Sequence, residues 1–241
     1  MWTSKCGHAW ALVVLIGACG TKPEGQGVPS HPPVATVPGG PLALTMVDDN
    51  VRHDTLLVQV TFDLGDGTHL MVASNVEETF EGLRLYHYRA RPDSSAEILH
   101  VSAPAYDSWT MLPTLFGEGA GLNDKWVLAN FGERESWGQK VMWFQQGFHD
   151  RGFMHVALPE RMVEEDSTFL RRTNIAPHMR MDQRGDTTFF TFACDSVFLY
   201  DDNAGGVDLI VPSSSIRYIL HPGAGLILWI DGQPRPTPRP A

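Results

Sequence analysis

The chain has 241 residues and a formal charge of −10, with 28 acidic against 18 basic side chains. A polyanion has no electrostatic reason to bind nucleic acid, and it gains nothing from anionic lipid heads, so partners held by those charges are excluded. Three cysteines are too few for a disulfide-stapled scaffold.

Residues 1–18 open with one positive charge, Lys5, and continue as an apolar run from Ala9 to Ala18. That run is about half of what a bilayer-spanning helix needs, and its charged start and small-residue end are the layout of a secretory signal. It closes on Ile16-Gly17-Ala18-Cys19. This box resembles the lipobox of bacterial lipoproteins. The resemblance implies a diacylglycerol thioether on Cys19, cleavage before that residue and acylation of the new amino group. The expected membrane partner is then lipid, and two or more acyl chains hold a protein there for long times. Gly20, where an Asp favours inner-membrane retention, implies the outer membrane. Loss of residues 1–18 leaves 223 of the 241 residues, removes Lys5 and Cys6, and brings the charge to −11. Cys194 is then the only free thiol, so no intrachain disulfide forms.

Residues 19–41 contain "GTKPEGQGVPSHPPVATVPGGP", rich in Gly and Pro and without apolar periodicity. They read as a flexible lipid-anchored linker, reaching roughly 60 Å at roughly 3 Å per residue. Residues 42–233 read as one all-β domain, and 234–241 as a Pro-rich tail. "TLLVQVTF" alternates, with Leu56, Val58, Val60 and Phe62 on one face, and alternating or short apolar runs recur to "GLILWID". About twelve to fourteen strands are expected, with a helical turn only in "PERMVEEDSTFLRR", 159–172. A domain boundary at "GEGAGLND", 117–124, is the alternative to one domain. The expected fold is a mainly antiparallel β-sandwich or jelly-roll-like domain.

Three hairpins can be paired by arithmetic. A two-residue turn at Asp66-Gly67 sets Phe62 opposite Met71 and Val60 opposite Ala73. A turn centred on Asp93-Ser94 sets Tyr86 opposite Val101, His87 opposite His100 and Tyr88 opposite Leu99. "DDNAGG" sets Phe198 opposite Leu209 and Tyr200 opposite Val207. The first two of these hairpins, with "TFDLGDGT" (61–68), "HYRARP" and "ILHVSA", also resemble part of the PKD-type Ig-like module, a family of extracellular spacers and binding units.

Candidate sites are few. Two neutral imidazoles directly across a sheet, His87 and His100, suit zinc or copper if a third ligand joins them, and His155 is the available β-strand histidine. Trp137, in the polar "GERESWGQ", is the aromatic expected to be exposed for ligand stacking. Asp201, Asp202, Asn203 and Asp208 have calcium-loop character, but a Glu is missing where the helix-loop-helix template requires one. Glu133, Glu135 and Asp150 are carboxylates of the kind glycan hydrolysis uses in pairs. No cofactor is implied. The leading expectation is a lipid-anchored envelope protein acting as a binding or structural module, with an envelope protein or glycan as partner. An envelope hydrolase acting on glycans and a metal- or ligand-binding lipoprotein are the alternatives.

Overall fold

The computed structural model describes residues 39–48, 51, 55–76, 81–105, 108, 110–132, 137–164, 167–201 and 207–235. The signal and lipobox, most of the linker and residues 236–241 lie outside them. Among the described residues the regular structure is all β, apart from single-turn 3-10 helices at Ala176–His178 and Ser213–Ser215. Among the described residues no helix is long and apolar enough to cross a membrane.

The first sheet is a meander of β1 (Thr45–Val47), β2 (Leu56–Asp63), β3 (His69–Asn75), β4 (Arg84–Ala90) and β5 (Ala96–Val101). The second is another meander, β6 (Pro113–Phe116), β7 (Lys125–Gly132), β8 (Trp137–Phe144) and β9 (Phe148–Met154). The 117–124 loop joins β6 to β7 inside this one sheet, so it is a turn and no boundary. The remaining strands interleave two sheets. One runs β11 (Ser167–Thr173), β10 (Val156–Glu164), β14 (Ser196–Asp201), β15 (Val207–Pro212). The other runs β12 (Met179–Arg184), β13 (Thr187–Phe192), β16 (Ile216–His221), β17 (Gly225–Ile230), β18 (Gln233–Arg235). β18 thus takes in the first two residues expected in the tail. All pairings are antiparallel.

The second sheet is the middle layer. Leu115, Val127, Ala129, Met142 and Phe144 pack with Leu70, Val72 and Leu85 of the first sheet. Their neighbours Phe116, Trp126, Leu128 and Val141 pack with Phe190, Val197, Leu199, Tyr218 and Leu228 of the C-terminal sheets. A strand buried on both faces carries apolar residues at every position, which is why "KWVLANF" and "VMWF" do not alternate cleanly. Each fully buried Leu or Phe contributes on the order of 1.5–3 kcal/mol. Polar ties cross the layers too. Buried Gln139 donates through Nε2 to Asn130 Oδ1 and to Asn174 Oδ1, each at 3.0 Å.

Five expected pairings are corrected by register, among them Tyr200, which meets Asp208 rather than Val207. Phe62 pairs with Leu70 rather than Met71, because the connection is the longer 64–68 turn centred on Asp66. Val58 pairs with Ala73 and Val60 with Val72, so a bulge at Gln59 puts Val58 and Val60 on opposite faces. Tyr88 pairs with Ile98 because Leu99 bulges out. Around residues 202–206, which are outside the description, Leu199 meets Leu209 and Phe198 meets Ile210. That one-residue slip turns Val197 and Leu199 inward and Phe198 outward. The expected helical turn is also replaced: Val156–Glu164 and Ser167–Thr173 pair as the β10–β11 hairpin, with Pro159 opposite Arg172.

Candidate functional site

His87 and His100 do lie directly opposite each other on β4 and β5. Their rings stack at 5.6 Å with planes 13° apart, and Phe144 of the middle sheet meets both edge-on, at 5.4 and 5.1 Å. His87 is 8% exposed, buried between the first two layers.

A polar chain leads from His87 to the 64–68 turn. Thr68 donates its hydroxyl to Asp66 Oδ1 at 2.5 Å and its N–H to the same oxygen at 2.9 Å. His87 Nε2 lies 3.0 Å from Thr68 Oγ1. Because the Thr68 proton is committed to Asp66, Nε2 must be the donor, which leaves Nδ1 as a bare lone pair. That Nδ1 is buried without a hydrogen-bond partner. The turn is pinned from the far side: Gly121 donates its N–H to the Leu64 carbonyl at 2.8 Å, and a side chain at Gly121 would strike the Asp66 carboxylate. Burial raises the Asp66 pKa, but the two Thr68 hydrogen bonds and the nearby His87 outweigh it and hold the carboxyl below its ordinary range. Burial, then the stacked His100, push His87 down to about 4 against the pull of Asp66. The pair is therefore a carboxylate and a neutral imidazole at pH 7.

This geometry braces two loops. Thr68 is 4% exposed and out of reach of a substrate. The lone pairs of two imidazoles lie in their ring planes, and stacked near-parallel planes do not converge on one ion. No group of three His, Cys, Asp or Glu among the described residues could hold a metal. His155 sits between β9 and β10 with its ring 4.7 Å from Phe153, so it does not complete a triad with the pair.

The other expected sites are dispersed. Trp137 opens β8 with its backbone opposite Gly132. Asp150 is exposed and 3.5 Å from Lys140, while Glu133 and Glu135 lie outside the described residues, as does Cys19. Asp202 and Asn203 also lie outside them, and Asp201 and Asp208 flank the β14–β15 turn. Cys194 is a half-buried free thiol 3.3 Å from the Ser213 hydroxyl.

One open surface was missed by sequence reasoning. β10 pairs with β14 only at Val156 and Ala157, whereas β11 follows it from Leu158 to Glu164. The hairpin therefore runs beyond its sheet as a ribbon. On its outer face stand Val163, 71% exposed, and Leu170, 43% exposed, continued across the sheet by Phe198 and by Ile210, 52% exposed. The Arg172 guanidinium lies 5.9 Å over the Phe198 ring. Phe169, 43% exposed, stands on the opposite face beside the Arg171–Glu160 pair at 2.6 Å. The available signal was the Val, Thr, Phe and Leu content on either side of "EED", a strand–turn–strand composition.

No protein-family model, curated protein or solved structure matches this chain. The reading of function therefore rests on the residues themselves. Apart from Phe169, the exposed apolar residues of the ribbon and its sheet fall on one face beside Arg172, whereas scattered surface apolar residues need no explanation.

Proposed function

We propose that this chain is a lipid-anchored binding module of the bacterial envelope, whose partner docks on the outer face of the β11-β10-β14-β15 sheet. The observation that carries the binding role is the exposure of Val163, Leu170 and Ile210 together on that face. Binding there would remove those side chains from water at about 25 cal/mol per Å² of apolar surface, with the Arg172–Phe198 pair at its centre as the sort of aromatic and guanidinium anchor that dominates interfaces. The anchoring role is supported by Ile16-Gly17-Ala18-Cys19 and by the Gly/Pro-rich stretch after it. The partner is an envelope protein, reached within the span of the linker.

Site-specific photocrosslinking from Ile210 in the full chain, in cells, tests this reading. A discrete adduct is expected, and Leu170→Glu should remove it while the far-ultraviolet circular dichroism stays unchanged. Absence of any adduct from Ile210, or an adduct indifferent to Leu170→Glu, would contradict it.

A further inference from the structure

We infer that the free edge of the ribbon takes a second copy of this chain, joined through β11 in antiparallel register centred on Leu170; this contact goes beyond the face-docking reading above, with which it shares the lipid anchor. β11 is an outermost strand of its sheet, and residues 167–171 are exposed in an unbroken run. Exposed edges template strand addition unless they are short, bulged, covered, charged or broken by proline. Of the seven other edges six have such protection; the exception, β15, has an unbroken ladder to β14 and ends on Pro212. β6 is covered by Leu42, which donates its N–H to the Leu115 carbonyl at 2.8 Å, and β12 by Gly39, whose carbonyl accepts from Met181 N–H at 2.7 Å. β5 carries the Leu99 bulge, β9 carries one at Arg151, and β1 and β18 are three residues long. β11 has an unbroken ladder from Thr173 to Ser167 and no covering segment among the described residues.

The β11 sequence is self-complementary in that register. Leu170 meets the Leu170 of the second copy on the outer face, beside the exposed apolar row. Phe169 meets Arg171 of the other copy twice over, a cation–aromatic pairing in both directions. Ser167 meets Thr173, a favourable hydroxyl pair. Arg171 already carries its counter-charge, Glu160, at 2.6 Å, so it does not bring unneutralised charge into the junction. Lipid anchoring confines both copies to one surface and raises their effective concentration.

Cysteine crosslinking of the full-length protein in its membranes tests the register, in a Cys194→Ser background. Directly opposed antiparallel residues have Cα atoms about 4.5–5.5 Å apart, within reach of a disulfide. Leu170→Cys should therefore give a disulfide-linked homodimer on mild oxidation. Thr168→Cys, whose copy lies four strand positions away, should stay monomeric, and adding Phe169→Glu to Leu170→Cys should reduce the dimer at least about tenfold. Failure of Leu170→Cys to dimerise, or equal dimer from Thr168→Cys, overturns the inference. An adduct of Leu170→Cys with a different protein also overturns it, but leaves the ribbon as a binding surface; loss of the Ile210 photoadduct is what would remove that broader reading.

Discussion

At pH 7 the His87 imidazole is uncharged, because burial, the stacked His100 and Arg89 disfavour its cation more than Asp66 favours it. Its folded pKa of about 4 lies below the ordinary 6.5. As pH falls, the unfolded chain takes up this proton first. The contribution of His87 to stability is thus complete above pH 6.5 and is lost as pH drops from there through about 4, with a slope of at most about 1.4 kcal/mol per pH unit. Asp66 acts lower: its depressed carboxyl stabilises the fold fully above 3.8 and loses that contribution as pH falls through its folded value. Urea unfolding of His87→Gln should show a flatter dependence between pH 4 and 6.5 than the parent; identical slopes would contradict the assignment. Gly138 is a steric case. A Cβ there would run into the Met154 carbonyl and the Phe153 ring, both from the neighbouring β9. Gly138→Ala should therefore cost about 1–3 kcal/mol through overpacking, and an unchanged urea midpoint would show that β8 and β9 lie farther apart.

Among the elements, the β14–β15 hairpin discriminates between registers. Leu199 is buried while Ile210 is half exposed. Leu199→Ala should cost about 2–5 kcal/mol and Ile210→Ser no more than about 0.5 kcal/mol, as read from thermal or urea unfolding; the reverse order would mean the pairing is slipped by one. The strands themselves were legible because their alternation and turn residues are local properties. Register was legible at His87–His100 and not at Phe62 or Phe198. Bulges at Gln59 and Leu99 and an odd-length turn at 64–68 each shift the pairing by one residue, and an apolar stripe on both sides of a strand gives no penalty for the wrong choice. The β10–β11 ribbon was hidden for a related reason. Its charged residues, Pro159 and short apolar runs fit a helical turn as well as an exposed hairpin, and pairing with a distant part of the chain decided the matter.

In the whole molecule, one sheet buried on both faces organises two cores, which lets a chain without a disulfide among its described residues stack three layers. Gln139 and its two asparagine acceptors tie the middle layer to the segment leading into the C-terminal sheets. Alternation and turn residues indicated the all-β class but not the layering, because a doubly buried sheet differs from a sandwich only in which strands lose their alternation. The proposed position of the domain in the cell rests on six residues, "LIGACG", at 15–20, and not on the fold. The central claim, a lipid-anchored module, is therefore tested most directly at Cys19. Cells expressing the full chain are labelled with a palmitate analogue, beside Cys19→Ala. The account predicts label in the parent, found with the membranes, and in the variant no label together with retention of the uncleaved 241-residue precursor. Label that persists in Cys19→Ala, or a parent without label, would contradict it.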